Sequence, residues 1–255
     1  MIEIKNLHKR FDGETVLNGV NLTISDGDTL VIIGKSGCGK TVLLKHLIGL
    51  LKPDEGEIRI DGIDITKVRR KKLYEMRKKF GMLFQSGALF DSMTVEENIG
   101  LPLREHTRLS DEDIRRVVEE KLRLVGLEQI ENLRPAELSG GMKKRVALAR
   151  ALVMEPLYIL FDEPTTGVDP VMADKINDLI IEIQKKLKTT SITVTHDIAS
   201  AFKIGNTFAM LADGKIIFKG TEKELKENRD PRVKEFLKSS GTFRRRLRRI
   251  NKGVV

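Results

Sequence analysis

One segment constrains the fold of this chain more than any other: Gly34-Lys35-Ser36-Gly37-Cys38-Gly39-Lys40-Thr41. It satisfies the pattern G-x-x-x-x-G-K-[ST] in full. The apolar run Thr29 to Ile33 precedes it, as a strand buried on both faces would. Leu43, Leu44, Leu47 and Ile48 follow at helical spacing. A strand, a glycine loop and a helix in that order open a parallel α/β unit. The glycines permit backbone angles that aim successive N–H groups into a concavity, and the helix N-terminus adds its dipole. The segment therefore reads as a phosphate cradle. Its wall is the backbone of Gly34, Lys35, Ser36, Gly37, Cys38 and Gly39; Lys40 reaches the β- and γ-phosphates, and the Thr41 hydroxyl holds Mg²⁺. Cys38 reads either as a small filler or as a redox-sensitive thiol.

A second signal is Tyr158-Ile159-Leu160-Phe161-Asp162-Glu163-Pro164. An apolar strand ending in an acid matches the Walker B pattern, in which the Asp supports Mg²⁺. Alone, Asp-Glu at a strand end is common; beside the Gly34–Thr41 loop it gains weight. The carboxylate of Glu163 is placed to accept a proton from a water or to orient it for in-line attack.

Along the rest of the chain, strands and helices alternate. Ile2, Ile4 and Leu7 are spaced as a strand, and a second apolar series, Val16 to Ile24, follows a turn at Asp12-Gly13. A short strand is expected at Glu57–Ile60, a basic helix at Lys67–Lys79 and a buried strand at Phe80–Phe84. Between about Leu89 and Leu138 the pattern turns helical, with Ile114, Val117, Val118, Leu122 and Val125 on one stripe. Helix, strand, helix and strand are expected at Met142–Met154, Leu157–Phe161, Val171–Leu187 and Thr190–Thr195. Strands around Phe208–Leu211 and Lys215–Phe218 close the sheet. The alternation predicts an α/β fold with a mostly parallel sheet, helices on both faces and a helical insertion. The Gly34–Thr41 and Tyr158–Asp162 motifs resemble those of P-loop NTPases, which implies a RecA-like core with an N-terminal antiparallel β subdomain and an inserted α-helical subdomain. The domain is expected over residues 1–240, with the helical insertion at about 89–150 and a basic tail over 241–255.

Composition excludes several classes. No apolar run approaches the roughly 18–20 residues of a spanning helix, and the alternating N-terminus is no signal peptide. One cysteine excludes an internal disulfide framework and a multi-cysteine metal site, and fits a reducing compartment. The chain has no Trp and two Tyr, a poor supply for stacking on single-stranded nucleic acid. The 46 basic against 37 acidic residues give a net charge of +9, which suggests an anionic partner or simply a solvated Lys/Glu-rich surface. Much of the excess lies in Arg244, Arg245, Arg246, Arg248, Arg249 and Lys252.

The segment Leu138-Ser139-Gly140-Gly141-Met142, followed by Lys143-Lys144-Arg145-Val146-Ala147-Leu148-Ala149-Arg150-Ala151-Leu152, resembles the signature motif of ATP-binding cassette (ABC) ATPases. The order phosphate loop, Gln85, signature, Asp162-Glu163, Asp169, His196 matches that family, and the resemblance runs from Met1 to about Leu237. It implies that Phe11 stacks on adenine, where its plainer reading is a core aromatic after a strand. It implies that Gln85 contacts Mg²⁺ or the attacking water and senses the transporter. Asp169 resembles the acid that communicates across the dimer, and His196 the histidine that contacts the γ-phosphate. Ser139, Gly140 and Gly141 are implied to close over ATP bound to the partner subunit's phosphate loop. Two ATP would then be sandwiched in a homodimer, each site completed in trans. Met142 departs from the Gln usual at that position; activity is expected to survive, since the phosphate contacts come from the residues before it.

The same Met142 signature, with Gln85-Ser86-Gly87-Ala88-Leu89-Phe90-Asp91-Ser92-Met93-Thr94-Val95-Glu96-Glu97-Asn98-Ile99, resembles the ATPases of Mla/MCE-type lipid transporters. This implies a cytoplasmic-membrane periphery, a separate MlaE-like permease, an MCE-type substrate-binding protein and a small regulatory subunit, with no nucleic-acid partner. Leu89, Phe90 and Met93 are expected either to line the permease dock or to form the small core of the helical subdomain. The basic tail is expected to contact a neighbouring subunit, a regulator or anionic lipid, or to be a solvated terminus. Import of another cargo, such as amino acids or metals, and a soluble nucleic-acid-associated ATPase stand as the alternatives.

Overall fold

The computed structural model describes residues 1–239; the basic tail lies outside the described residues. The chain divides into two compact units: Met1–Val68 with the chain from Thr193 onward, and Arg69–Ile192.

The first unit opens with an antiparallel sheet of β1 (Ile2–Phe11), β2 (Glu14–Ile24), β4 (Glu55–Ile60) and β5 (Ile63–Asp64), in the order β2-β1-β4-β5. Its register follows from period-2 patterning: Ile2 lies opposite both Ile24 and Ile60, and Ile4 opposite Leu22 and Ile58. All six side chains are buried, so each cross-strand row is an apolar contact. The β1–β2 turn is Asp12-Gly13, both at positive φ (49° and 85°), the geometry that matches strand twist in a two-residue hairpin. Asp61-Gly62 and Asp213-Gly214 repeat it.

The same unit carries β3 (Thr29–Ile33), the phosphate loop and α1 (Lys40–Leu47). β3 pairs in parallel with β9 (Thr207–Ala212), and β10 (Lys215–Gly220) runs antiparallel to β9. α7 (Ile198–Ile204) packs on β3, while α8 (Glu222–Glu227) and α9 (Pro231–Ser239) finish the described chain.

The second unit contains α2 (Arg70–Arg77), β6 (Phe80–Leu83), α3 (Val95–His106), α4 (Asp111–Leu124), a 3-10 turn at Pro135–Glu137, α5 (Gly140–Leu152), β7 (Tyr158–Asp162) and α6 (Pro170–Leu187). β6 and β7 are parallel, and Phe80 stacks on Tyr158 with ring centroids 4.9 Å apart. Between β6 and β7 every regular element is helical. There α3, α4 and α5 pack on one another through Ile99, Leu103, Ile114, Val118, Leu122 and Val146, all buried. β6 is only half-buried along alternate residues, where continuous burial was expected. β8 (Thr190–Thr195), buried throughout, carries the chain from the second unit back into the first. Among the described residues no helix is long and apolar enough to cross a membrane.

Candidate functional site

In the first unit the Gly34–Thr41 segment joins the buried end of β3 to the first turn of α1. Two of its glycines are required by geometry. A Cβ on Gly34 would lie 2.5 Å from the main-chain oxygen of Leu211 and 2.7 Å from Cys38 Sγ. Gly39 sits at φ +100°, a left-handed conformation that other residues rarely adopt. Cys38 is therefore a packing partner of Gly34, in keeping with the filler reading. Lys40 is buried, with Nζ donating to the carbonyls of Gly34 at 2.9 Å and Lys35 at 3.1 Å. The ammonium is thus folded into the loop. Lys35 points its side chain outward to Glu235 of α9 at 2.8 Å; both are well exposed, so the pair adds little stability. Ser36 and Gly37 are exposed, and Thr41 is half-buried on the first turn of α1.

Phe11, at the end of β1, is 39% exposed, which argues against the core-aromatic alternative. Lys9 Nζ stands 5.3 Å from its ring centroid. His196 is exposed, between the end of β8 and α7. Its neighbours fix the backbone there. Thr195 Oγ1 accepts the Asp197 N–H at 3.0 Å, and Asp197 caps α7 through the Ala199 N–H at 3.0 Å.

In the second unit β7 ends in Asp162, 3% exposed, followed by Glu163, 7% exposed. Glu163 adopts a left-handed backbone, φ 47°. Such strain costs of order 1–3 kcal/mol and persists where surrounding structure imposes it. Here the Glu163 carbonyl accepts the Thr166 N–H at 3.1 Å, closing a tight turn that turns the chain sharply after the strand. Asp169, exposed, caps α6 by accepting the Val171 and Met172 N–H groups at 3.0 Å each. Ser139, exposed, caps α5 by accepting the Met142 N–H at 3.2 Å. Gly140 is exposed beside it, and Gly141 is buried against Met172.

Gln85 is exposed just after β6, and the loop that follows it is strapped down by residues that the sequence reading passed over. Lys144 of α5, 7% exposed, donates from Nζ to the Gln85 main-chain oxygen. Arg150 of α5 donates to the carbonyls of Ala88 and Gly87, at 2.8 Å each. Buried Asn98 of α3 accepts the Phe90 N–H at 2.8 Å and donates to the carbonyls of Phe90, Met93 and Thr94. Each is a polar residue at a core-facing helical position, and that was the available signal. A groove of about 510 Å³ lies alongside, with Phe80, Phe84, Phe90, Pro102 and Met154 for walls and Arg77, Lys78 and Arg150 at its polar positions. Tyr74 Oη and His106 Nδ1, 3.0 Å apart, sit at its rim. Of the three apolar dock candidates, Phe90 lines this groove and is 49% exposed, whereas Leu89 and Met93 are half-buried and do not.

The loop of the first unit suits the phosphates of a nucleotide. The Thr41 hydroxyl, in the first unit, and the buried Asp162 carboxylate, in the second, are each an oxygen donor of the kind Mg²⁺ prefers. Among the described residues no group of three His, Cys, Asp or Glu side chains forms a metal cage.

Comparison with known proteins agrees. The family model described as ABC transporter matches residues 17–166. The intermembrane phospholipid transport system ATP-binding protein MlaF of Haemophilus influenzae is 44% identical over 93% of this chain and 90% of its own length. MlaF of Escherichia coli K12 is 41% identical over 93% and 88%. A probable ribonucleotide transport ATP-binding protein of Mycobacterium leprae is 45% identical over 92% of this chain and 68% of its own. Among solved structures, a dimeric ATP-binding cassette in a post-hydrolysis state with ADP and Pi superposes with TM-score 0.80 at 36% identity, covering 87% of this chain and 98% of that one. A subunit of the cbiONQ ABC transporter complex of Clostridium perfringens gives 0.82 at 31% identity, covering 98% of both. With the phosphate loop, the strand-end acid pair and the capped signature helix all in place, this chain belongs to the ABC transporter family, as one of its ATP-hydrolysing subunits.

Proposed function

We propose that two copies of this chain close around two ATP molecules and that hydrolysis drives phospholipid movement through a separate membrane permease. The 44% identity to a phospholipid transport ATPase along nearly the whole chain carries the cargo assignment. In this reading Gly34, Lys35, Ser36, Gly37, Cys38 and Gly39 wrap the phosphates with their backbone, Lys40 neutralises the β- and γ-phosphates, and Phe11 stacks on the adenine. Thr41, Asp162 and Gln85 would hold Mg²⁺, whose chemistry is to offset charge on the β- and γ-oxygens. Glu163 orients a water and takes its proton as the water oxygen bonds to the γ-phosphorus. The bond from that phosphorus to the β,γ-bridging oxygen breaks, and ADP and phosphate leave. His196 steadies the γ-phosphate. Ser139, Gly140 and Gly141 complete the site of the partner subunit, and Asp169 links the two sites.

The apolar groove with cationic positions beside the Gln85 loop suits a permease helix that is apolar on one face and acidic at its end. An MCE-type protein, a small regulatory subunit and residence at the cytoplasmic face of the membrane complete the proposed system. The mycobacterial relatives favour a second reading, in which the cargo is a nucleotide.

The test is affinity purification of Glu163→Gln with ATP from gently solubilised membranes, followed by mass spectrometry. A multi-span permease with an MCE-type protein and bound phospholipid is the expected recovery. A different permease without lipid would discard the cargo and leave the ATPase chemistry standing.

A further inference from the structure

Lys144 is a charged residue in a place where a neutral one would pack more cheaply. It is buried on α5, five residues after the capping Ser139, and its ammonium donates to the Gln85 main-chain oxygen rather than to a carboxylate. Burial pushes its pKa below the usual lysine value, and the nearby charges of Asp162 and Glu163 oppose that shift. The cation therefore holds the glutamine's backbone and feels the charge of the two strand-end acids. One turn further along α5, the Cβ of Ala147 would lie 3.5 Å from a Cβ built on Gly87, so helix and loop approach at two small residues. Another turn on, Arg150 grips the carbonyls of Gly87 and Ala88. Residues 144, 147 and 150 share one side of the helix. Three main-chain carbonyls of the Gln85–Ala88 segment are thus bound by two cations of the helix whose first residues form the signature.

We propose that Lys144 is a positioning residue for ATP hydrolysis: it fixes the Gln85 backbone to the signature helix, so that glutamine and signature shift together. The proposal rests on the reading that Gln85 acts at the nucleotide. Displacement of a reacting group by an ångström or so carries large rate penalties, and Lys144 removes that freedom.

The experiment compares Lys144→Met, Lys144→Gln and Lys144→Arg in the full-length protein, with Gln85→Ala alongside. It reads kcat and KM for ATP, affinity for a fluorescent ATP analogue, melting temperature, and hydrogen exchange over residues 84–90. We expect Lys144→Met to lower kcat about tenfold with KM and analogue affinity within about twofold, and to raise exchange at 84–90. Lys144→Arg should restore most of the rate, and Lys144→Gln, which keeps a donor and loses the charge, should fall between; it also serves if the Met variant does not fold. An unaltered kcat in both neutral variants, with Gln85→Ala impaired, overturns the positioning role alone. An unaltered kcat in Gln85→Ala overturns the reading of the glutamine, and the role of Lys144 with it. A rate loss that follows a fall in melting temperature and is not restored by Arg overturns the proposal in favour of plain packing.

Discussion

Helix α1 follows a glycine-bearing loop and α5 opens on two glycines, and their first turns are finished differently. α1 begins at Gly39 in a left-handed conformation, with no side-chain cap and no acid in its first turn. α5 begins at Ser139 in an extended conformation, with its hydroxyl bonded to the Met142 N–H, and it too has no acid in its first turn. Helices α3, α4 and α8 each carry both a side-chain cap and first-turn acids, whereas α2, α6, α7 and α9 share the lack of first-turn acids. An acid there stabilises a helix through its dipole, so its omission preserves a positive end for an external anion. The difference in capping separates two uses of that end. α1 relies on the wrapped loop and Lys40, which suits enclosure of phosphate within one subunit. α5 is completed by its own serine and exposes Ser139 and Gly140, which suits presentation to another molecule.

The largest effect that would break this contrast is expected for Lys40→Ala. Loss of its charge-assisted hydrogen bonds should weaken ATP binding by about 100-fold, near 2.7 kcal/mol, in a fluorescent-nucleotide titration. Unchanged affinity would remove the start of α1 from the phosphate site. Next is the pair Gly34→Ala and Gly140→Ala, read by thermal or urea unfolding. The first drives a Cβ against the Leu211 backbone and should cost about 1–3 kcal/mol. The second meets nothing within 4 Å and should stay within about 0.5 kcal/mol. Equal losses would mean that the two glycine segments are under the same packing constraint.

Ser139→Ala should cost about 1 kcal/mol as a lost cap. ATP affinity of the single subunit should hold while hydrolysis by the dimer falls; weakened binding in the monomer would contradict a role in trans.

The smallest effect concerns the far end of α1. His46 is buried, and Nδ1 donates to the Val42 carbonyl at 2.7 Å. Burial lowers its pKa below the ordinary 6.5, helped by the charge of Lys9 and opposed by hydrogen bonding to the Val42 and Lys52 backbone and by Asp54. Above that value both folded and unfolded forms are neutral. As pH falls through it the unfolded chain takes up the proton first, so stability declines by up to about 1.4 kcal/mol per pH unit. The decline ends once the folded His46 protonates too. His46→Gln should flatten this part of a stability–pH curve, and an unchanged slope would assign it to other groups.

Much of this arrangement was legible residue by residue. Asp12-Gly13 and Asp61-Gly62 announce hairpins because an Asp-Gly pair tolerates positive φ at both positions. The run Thr29–Ile33 before a glycine loop announces a buried strand because nothing polar interrupts it. The half-burial of β6 was not legible: Phe80 to Phe84 is apolar throughout, and one of its faces lines the groove beside Phe90. Lys144, Asn98 and Arg150 carry no local mark of their partners either. Lys144 meets Gln85, 59 residues earlier in the chain, and Arg150 meets Gly87, 63 residues earlier.

By itself the sequence determined the backbone chemistry of the site: which glycines permit a phosphate loop, which hydroxyl and carboxylates cap or end an element, and where strands and helices alternate. These depend on dihedral preference and on periodicity within a few residues, so they are written locally. Only the tertiary structure decided that a buried lysine and an arginine of the signature helix would hold the backbone of Gln85–Ala88, and that Glu163 would adopt a strained left-handed turn. The first of these arises because packed elements leave carbonyls that need donors, and the donor nearest in space lies far away in sequence.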